Sequence, residues 1–291
     1  MNAGDIAFPH LDIYLKNVPK SFSVFGFDIA YYGLIIGIGF ILGLTVASRI
    51  AKRTGQDADT YWDLGIYGLI FGIIGARIYY VIFEWDNYKN DLLSVFKLRE
   101  GGLAIYGGVI GAFLTIFIYA KIKKKNPFLL GDTVMTGFIL GQAVGRWGNF
   151  MNREVFGGYT DNFLAMRLPI EAVRSRDITA ELAATIGAGD NFIQVHPTFL
   201  YESMWNLMIF VLMLLYTKHK KFDGELILLY LAGYGTGRFI IEGIRTDTLF
   251  IPGTTIAVSQ MLSAVLVIFA VVTDAVVRVR MKKDDNKAAA Q

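Results

Sequence analysis

Arg146 closes an apolar run, Phe128 to Val144, and stands in the segment Gly145-Arg146-Trp147-Gly148-Asn149-Phe150-Met151-Asn152-Arg153-Glu154-Val155-Phe156-Gly157-Gly158. Arg77 and Arg238 hold comparable places near the ends of two other apolar runs. An arginine still surrounded by hydrocarbon is costly and marks a functional site. A guanidinium offers two parallel hydrogen bonds from a planar fork and stays charged when desolvated, which suits phosphate. Polar companions share the same faces. Tyr234, Arg238, Glu242 and Arg245 fall at i, i+4, i+8 and i+11, one helical stripe. His196-Pro197 leads into Tyr201-Glu202, with Asn206 one turn beyond Glu202. Two readings of Glu202 stand side by side: it takes part in the chemistry, or it neutralises a buried arginine, since an unpaired buried charge is costly. The Arg238–Glu242 spacing likewise fits either a site or a pair that only fixes helix packing.

What is missing narrows the chemistry. The chain has no cysteine, so disulfides and thiolate metal sites are excluded. It carries no His-Glu-x-x-His, no Gly-x-Ser-x-Gly and no Walker-type loop. Of the three histidines, His219 lies in a basic joint and His10 in the N-terminal segment, leaving His196 near the arginines. No metal, cofactor or nucleic acid is expected. Several arginines in a dry cavity point instead to a phosphate-bearing ligand, and a phospholipid reaches that depth without leaving the membrane.

The elements that position these residues are membrane spans. Hydrophobic residues make up 54% of the 291 and charged ones only 18%, a balance that places the chain in the polytopic membrane class. Seven runs are long enough to cross, roughly 30–48, 64–83, 103–120, 128–147, 198–216, 225–241 and 256–273. Fifteen of the 28 basic residues lie on alternate joints: Arg49, Lys52 and Arg53; Lys121, Lys123, Lys124 and Lys125; Lys218, Lys220 and Lys221; and Arg278, Arg280, Lys282, Lys283 and Lys287. The positive-inside rule then puts the C-terminus in the cytoplasm and the N-terminus outside. With that topology Arg77, Arg146 and Arg238 sit at the outer ends of their spans. Tyr32, Tyr106 and Glu202 open the oppositely directed spans at the same level, so polar groups from six spans converge on the outer half of the bilayer.

The fold expected is an all-α polytopic membrane protein of seven helices with a small extracytoplasmic head. Its parts are an outer-interface segment at 1–29, spans 1 to 4 at 30–147, the head at 148–197, spans 5 to 7 at 198–273 and a basic cytoplasmic tail at 274–291. The head holds Gly157-Gly158 and a helix-prone stretch near Thr179–Ile186. Residues 1–28 lack a basic region followed by an apolar core, so the first span is expected to direct insertion. Glycines four residues apart, such as Gly39/Gly43, Gly107/Gly111 and Gly137/Gly141/Gly145, read as helix packing.

Gly145-Arg-x-Gly-Asn-Phe-x-Asn-x-Glu-x-Phe-Gly157 resembles the signature of the bacterial prolipoprotein diacylglyceryl transferases. Tyr32-Gly33, Gly75-Ala76-Arg77, Tyr106-Gly107-Gly108, His196-Pro197 with Tyr201-Glu202, and Gly233-Tyr234-Gly235 with Arg238 and Glu242 follow in the same order. The resemblance covers about residues 30 to 270. It implies seven spans in the bacterial cell membrane, and transfer of the diacylglyceryl group of phosphatidylglycerol to the lipobox cysteine thiol of a prolipoprotein, next to its signal peptide. A thioether forms and glycerol phosphate leaves. It implies Arg146 and Arg238 as a phosphate clamp, with Tyr106, Glu154 and Glu202 as catalytic candidates. Tyr32, Arg77, Asn149, Asn152, Gly157, His196, Tyr234 and Glu242 are the substrate-binding candidates. Asn149 would donate to the lipid head, Glu154 would orient Arg146 or the glycerol hydroxyls, and Gly157 would leave room for backbone near ligand. Many members carry a histidine where this chain has Tyr106, and a tyrosine is a poor base at neutral pH. The base is then Glu202, Glu154 or His196, or the arginine field lowers the thiol pKa enough without one. The residues taken alone also admit a transporter or flippase of an anionic lipid, although the inner halves of the spans lack the polar path it would need. A purely structural membrane protein is the third reading, and it leaves three buried arginines without a purpose.

Overall fold

The computed structural model describes residues 1–98 and 101–288. In chain order the elements begin with strands β1 (Ile6–Phe8), β2 (Ile13–Leu15), β3 (Ser21–Val24) and β4 (Phe27–Ala30). Helices α1 (Tyr31–Arg53), α2 (Asp59–Phe83), α3 (Trp85–Tyr88), α4 (Ile105–Lys123) and α5 (Pro127–Asn152) follow. Then come β5 (Met166–Pro169), α6 (Ala180–Ala183), β6 (Phe192–Val195), α7 (Thr198–Tyr216), α8 (Glu225–Glu242) and α9 (Val258–Ala288). The fold is predominantly helical, and six of the long helices are long and apolar enough to cross a membrane. The chain is a multi-pass membrane protein. The remaining long helix, α8, carries Glu225, Arg238 and Glu242 within 18 residues and is too charged to read as a span by composition. Of these charges, Arg238 and Glu242 pair with each other, and Glu225 pairs with Arg278 of α9.

Two compact units make up the chain. One comprises Met1–Gly43, Thr136–Lys221 and the residues from Glu225 on, and the other Leu44–Met135 with Phe222–Gly224. In the first, small residues let backbones approach. A Cβ on Gly43 of α1 would lie 2.7 Å from the Gly137 carbonyl of α5, a distance no real side chain tolerates. Helix α8 packs between α7 and α9. The expected tail continues α9 rather than leaving it. Arg278 holds it there by donating to Asp274 at 2.7 Å and pairing with the buried carboxylate of Glu225 on α8.

The head of this unit is built on a four-stranded sheet of order β2-β1-β5-β6. Strand β1 pairs antiparallel with both β2 and β5, so the N-terminal residues are woven into the head. Ile6 and Phe8 join Phe150, Phe156, Leu168, Ile193 and Phe199 in its core. The helix-prone stretch is one turn, Ala180–Ala183, capped by the Thr179 side chain accepting from the Leu182 amide. Strands β3 and β4 form a separate hairpin that runs directly into α1.

The second unit is organised by α2 and α4, with Tyr61, Leu64, Ile116, Tyr119 and Leu130 in its core. Its inner hydrogen bonds include Tyr119 Oη donating to Asp63 at 3.0 Å.

Candidate functional site

Helix α5 ends in a Schellman motif. The Arg153 amide donates to Phe150 O and the Glu154 amide to Asn149 O, each at 3.1 Å. Glycine usually fills the left-handed position of this motif; here it is Arg153, with φ 57°. Val155 follows at φ 58°, a conformation rare for a β-branched residue. The surroundings enforce both. The Arg153 guanidinium donates to Gly4 O at 2.6 Å, Val18 O at 2.5 Å and Met151 O at 3.1 Å, and Thr198 Oγ1 donates to Val155 O at 2.5 Å. This double reversal folds Glu154 back under the helix end. There its Oε1 accepts from Asn149 Nδ2 at 3.0 Å and Asn152 Nδ2 at 3.3 Å, and its Oε2 from Arg174 at 2.9 Å.

One carboxylate on α7 gathers the arginines. Glu202, with its side chain 4% exposed, pairs with Arg146 of α5 and accepts from Arg238 Nη1 of α8 at 2.9 Å. Arg245 Nη1 lies 3.5 Å away. Arg238 Nη2 also reaches Glu242 at 2.6 Å. Beyond α8, Arg245 grips Asp247 with two bonds, at 2.9 and 2.7 Å. Burial pushes the Asp247 carboxyl up, but the bonds and charge of Arg245 outweigh it and hold the group below the usual carboxylate range. Three guanidiniums thus face three carboxylates, a formally neutral cluster. Arg146 is its least engaged cation: among the described residues it pairs with Glu202 alone, and its side chain is 20% exposed. An anion arriving here meets a preformed fork whose counter-ion it can displace, and the buried acids keep the arginines from collapsing elsewhere.

Residues 19–276 match the sequence model of the prolipoprotein diacylglyceryl transferases. The chain belongs to this family. It is 42% identical over 231 residues to the phosphatidylglycerol–prolipoprotein diacylglyceryl transferase of Clostridioides difficile, covering 79% of this chain and 84% of the relative. It is 39% identical over 268 residues to the protein of the same name from Finegoldia magna, covering 92% and 98%. A Clostridium perfringens relative, phosphatidylglycerol–prolipoprotein diacylglyceryl transferase 1, matches at 39% over 267 residues, 91% of this chain and 96% of that one.

Around the cluster of this transferase-family chain lie other residues singled out in the sequence. Tyr32 packs its ring on Gly148, where a Cβ would come within 2.8 Å of it. Tyr234 stacks on Tyr230 with centroids 5.5 Å apart. Gly157 is flanked by backbone: its amide donates to His196 O at 3.0 Å, and a Cβ there would meet Ile244 O at 2.6 Å. The room it leaves is taken by the backbone of Ile244 and Arg245, with which it forms an isolated bridge. His196 Nδ1 is 3.2 Å from Tyr201 Oη, which in turn accepts from Asn162 at 3.0 Å. Burial holds the His196 pKa below its ordinary value, which favours the neutral ring.

Arg77 and Tyr106 belong to the second unit. Arg77 is buried, and it donates to four backbone carbonyls, those of Ser94, Val95, Gly101 and Gly102, at 2.7 to 2.9 Å. Its guanidinium also lies 5.0 Å from the Tyr88 ring centre. Such a residue shapes the loop after α2. Tyr106, half exposed in the first turn of α4, lies 6.4 Å from the Tyr79 ring. Asp247, which joins the cluster, and Arg174, which pairs with Glu154, were not picked out from sequence, and Arg245 was seen only as part of the α8 stripe. The close Arg245-Thr-Asp247 spacing just past a charged helix end was the available signal.

Proposed function

We propose that this chain transfers the diacylglyceryl group of phosphatidylglycerol to a prolipoprotein, at the thiol of the lipobox cysteine beside its signal peptide, as the first step of lipoprotein maturation. The observation that carries the reading is Glu202 holding Arg146 and Arg238 from two other helices on one buried carboxylate, in a chain of this family. The thiolate sulfur attacks the glyceryl carbon bonded to phosphate oxygen. A C–S bond forms, the C–O bond breaks, and its electron pair leaves with glycerol phosphate. Arg146 and Arg238 clamp the phosphate and stabilise the charge that grows on the departing oxygen. Asn149, oriented by Glu154, donates to the lipid head, with Asn152, Glu242, Tyr32 and Tyr234 lining the same region. The thiol proton passes to a basic group, for which neutral His196, Glu202 and Glu154 are the available acceptors, because the thiolate is the nucleophile. Arg77 supports the reaction by holding the loop that precedes Tyr106.

The enzyme works in the bacterial cell membrane with seven spans, α8 among them, its N-terminus outside and its C-terminus in the cytoplasm. The alternating basic joints support this orientation. Purified full-length protein, given phosphatidylglycerol and a lipobox peptide, is expected to raise the peptide mass by one diacylglyceryl group. A cysteine-to-serine peptide should remain unmodified. A peptide left unchanged by an enzyme shown to be folded would overturn the proposal.

A further inference from the structure

One helical turn inward from the arginine layer, the same three helices carry a second polar layer. Gln142 stands four residues before Arg146 on α5, Asn206 four after Glu202 on α7, and Tyr230 and Tyr234 eight and four before Arg238 on α8. Most of the polar groups at this depth are satisfied. Tyr230 Oη donates to Gln142 Oε1 at 3.2 Å, Ser203 Oγ to Ala143 O at 2.8 Å, Trp147 Nε1 to Ser203 Oγ at 3.2 Å and Trp205 Nε1 to Gly233 O at 2.8 Å. Asn206 differs. Its residue is 2% exposed, and among the described residues of α5, α7 and α8 its Nδ2 is the one buried side-chain donor with no hydrogen-bond partner.

A buried amide donor left unpaired is costly, and hydrocarbon offers no water to offset it. The position suggests what does. Glu202, Asn206, Ile209 and Met213 form one buried stripe of α7. Asn206 is roughly 6 Å deeper along it than the residue that holds the arginines. In a glycerolipid whose phosphate is at the arginine layer, the groups a few bonds further toward the acyl chains are the two ester linkages. Their carbonyls are acceptors without donors, the complement of Asn206 Nδ2.

We propose that Asn206 donates a hydrogen bond to an ester carbonyl of the bound glycerolipid, so that the site recognises diacyl rather than dialkyl lipid. This rests on the transferase reading. It adds a group that reads the part of the lipid retained on the product, whereas the arginines read the part that leaves.

The test compares diester phosphatidylglycerol with its dialkyl ether analogue, which keeps the headgroup and chains but lacks the carbonyls. Equilibrium binding of each lipid, and kcat and KM with a lipobox peptide, are measured on full-length wild type and on Asn206→Leu. Leucine keeps the branched shape and removes the donor, and thermal unfolding reports whether the variant is folded. For wild type the diester should bind about tenfold more tightly than the diether, the size of one hydrogen bond. Asn206→Leu should bring that ratio towards one, mainly through KM. A wild-type ratio near one overturns the proposal without needing any variant, and so does a folded Asn206→Leu protein with the wild-type ratio. Failure of wild type to modify the peptide from diester lipid would instead count against the transferase reading, while the binding ratio still reports on Asn206.

Discussion

At the residue scale the cluster behaves as a neutral assembly that an anion must enter by exchange. Among the described residues, Glu202 alone pairs with Arg146. Arg146→Ala should lower kcat/KM by about 100-fold or more, as the loss of a donor to developing charge does, with little change in unfolding temperature. Glu202→Gln should act differently. It removes the competing charge but keeps the shape, so KM for phosphatidylglycerol should fall while kcat drops by about 10-fold or more as the arginines lose their common anchor. A rise in KM would show that Glu202 contacts substrate rather than positioning its ligands. His196 predicts a pH effect. Burial lowers its pKa, so the fold favours the neutral ring, and this stabilising preference is intact above the ordinary value of 6.5. It is lost as pH falls from there through the lowered value. Wild-type unfolding temperature should therefore drop on acidification below 6.5, and His196→Gln should lose that slope.

At the scale of elements, the junction between α5 and the head sets where Asn149 and Glu154 point. Two left-handed residues, Arg153 and Val155, turn the chain within three positions, and Arg153 is locked by carbonyls from the N-terminal segment. Arg153→Leu should free residues 4 to 18 from the helix end. It should cost roughly 3 kcal/mol or more, because Gly4 and Val18 lose a charged donor. Limited proteolysis of the first 20 residues, together with unfolding temperature, measures this. Gly157 is a second joint of this kind. A methyl group there meets the Ile244 carbonyl at 2.6 Å and displaces the segment that carries Arg245. Gly157→Ala should reduce activity by about 10-fold or more through the cluster rather than through direct contact with lipid. An active Gly157→Ala enzyme with unaltered stability would contradict this.

At the scale of the whole molecule, we propose that α8 crosses the membrane despite its three charges. If it crosses the membrane, the joint at 217–224 and the tail at 274–291 lie in the cytoplasm with the joints at 49–58 and 124–126, and the segment 243–257 lies outside with the head. Single cysteines placed in this cysteine-free chain at Lys220 and Thr254 should label from opposite sides of right-side-out vesicles, Thr254 from the exterior. Labelling of both from one side would remove α8 from the set of spans and leave the arginine cluster without its third wall.

The sequence alone determined much of this protein. Periodic apolar runs are local and long, so seven helices could be placed. A desolvated arginine is costly enough to single out candidates, among which Arg77 proves to hold a loop, and the signature from Gly145 to Gly157 pointed to the family without any geometry. Pairing was decided by the fold. Nothing in the spacing says that Glu202 joins Arg146 to Arg238, that Arg77 is consumed by four carbonyls, or that Gly157 makes way for a backbone strand. The head's sheet was also hidden, because β1 and β5 are 3 and 4 residues long and lie about 160 positions apart, too short for periodicity to register. The boundary of α5 moved to Asn152 because the Schellman turn, closed by distant carbonyls on Arg153, stabilises a left-handed arginine that local propensity disfavours.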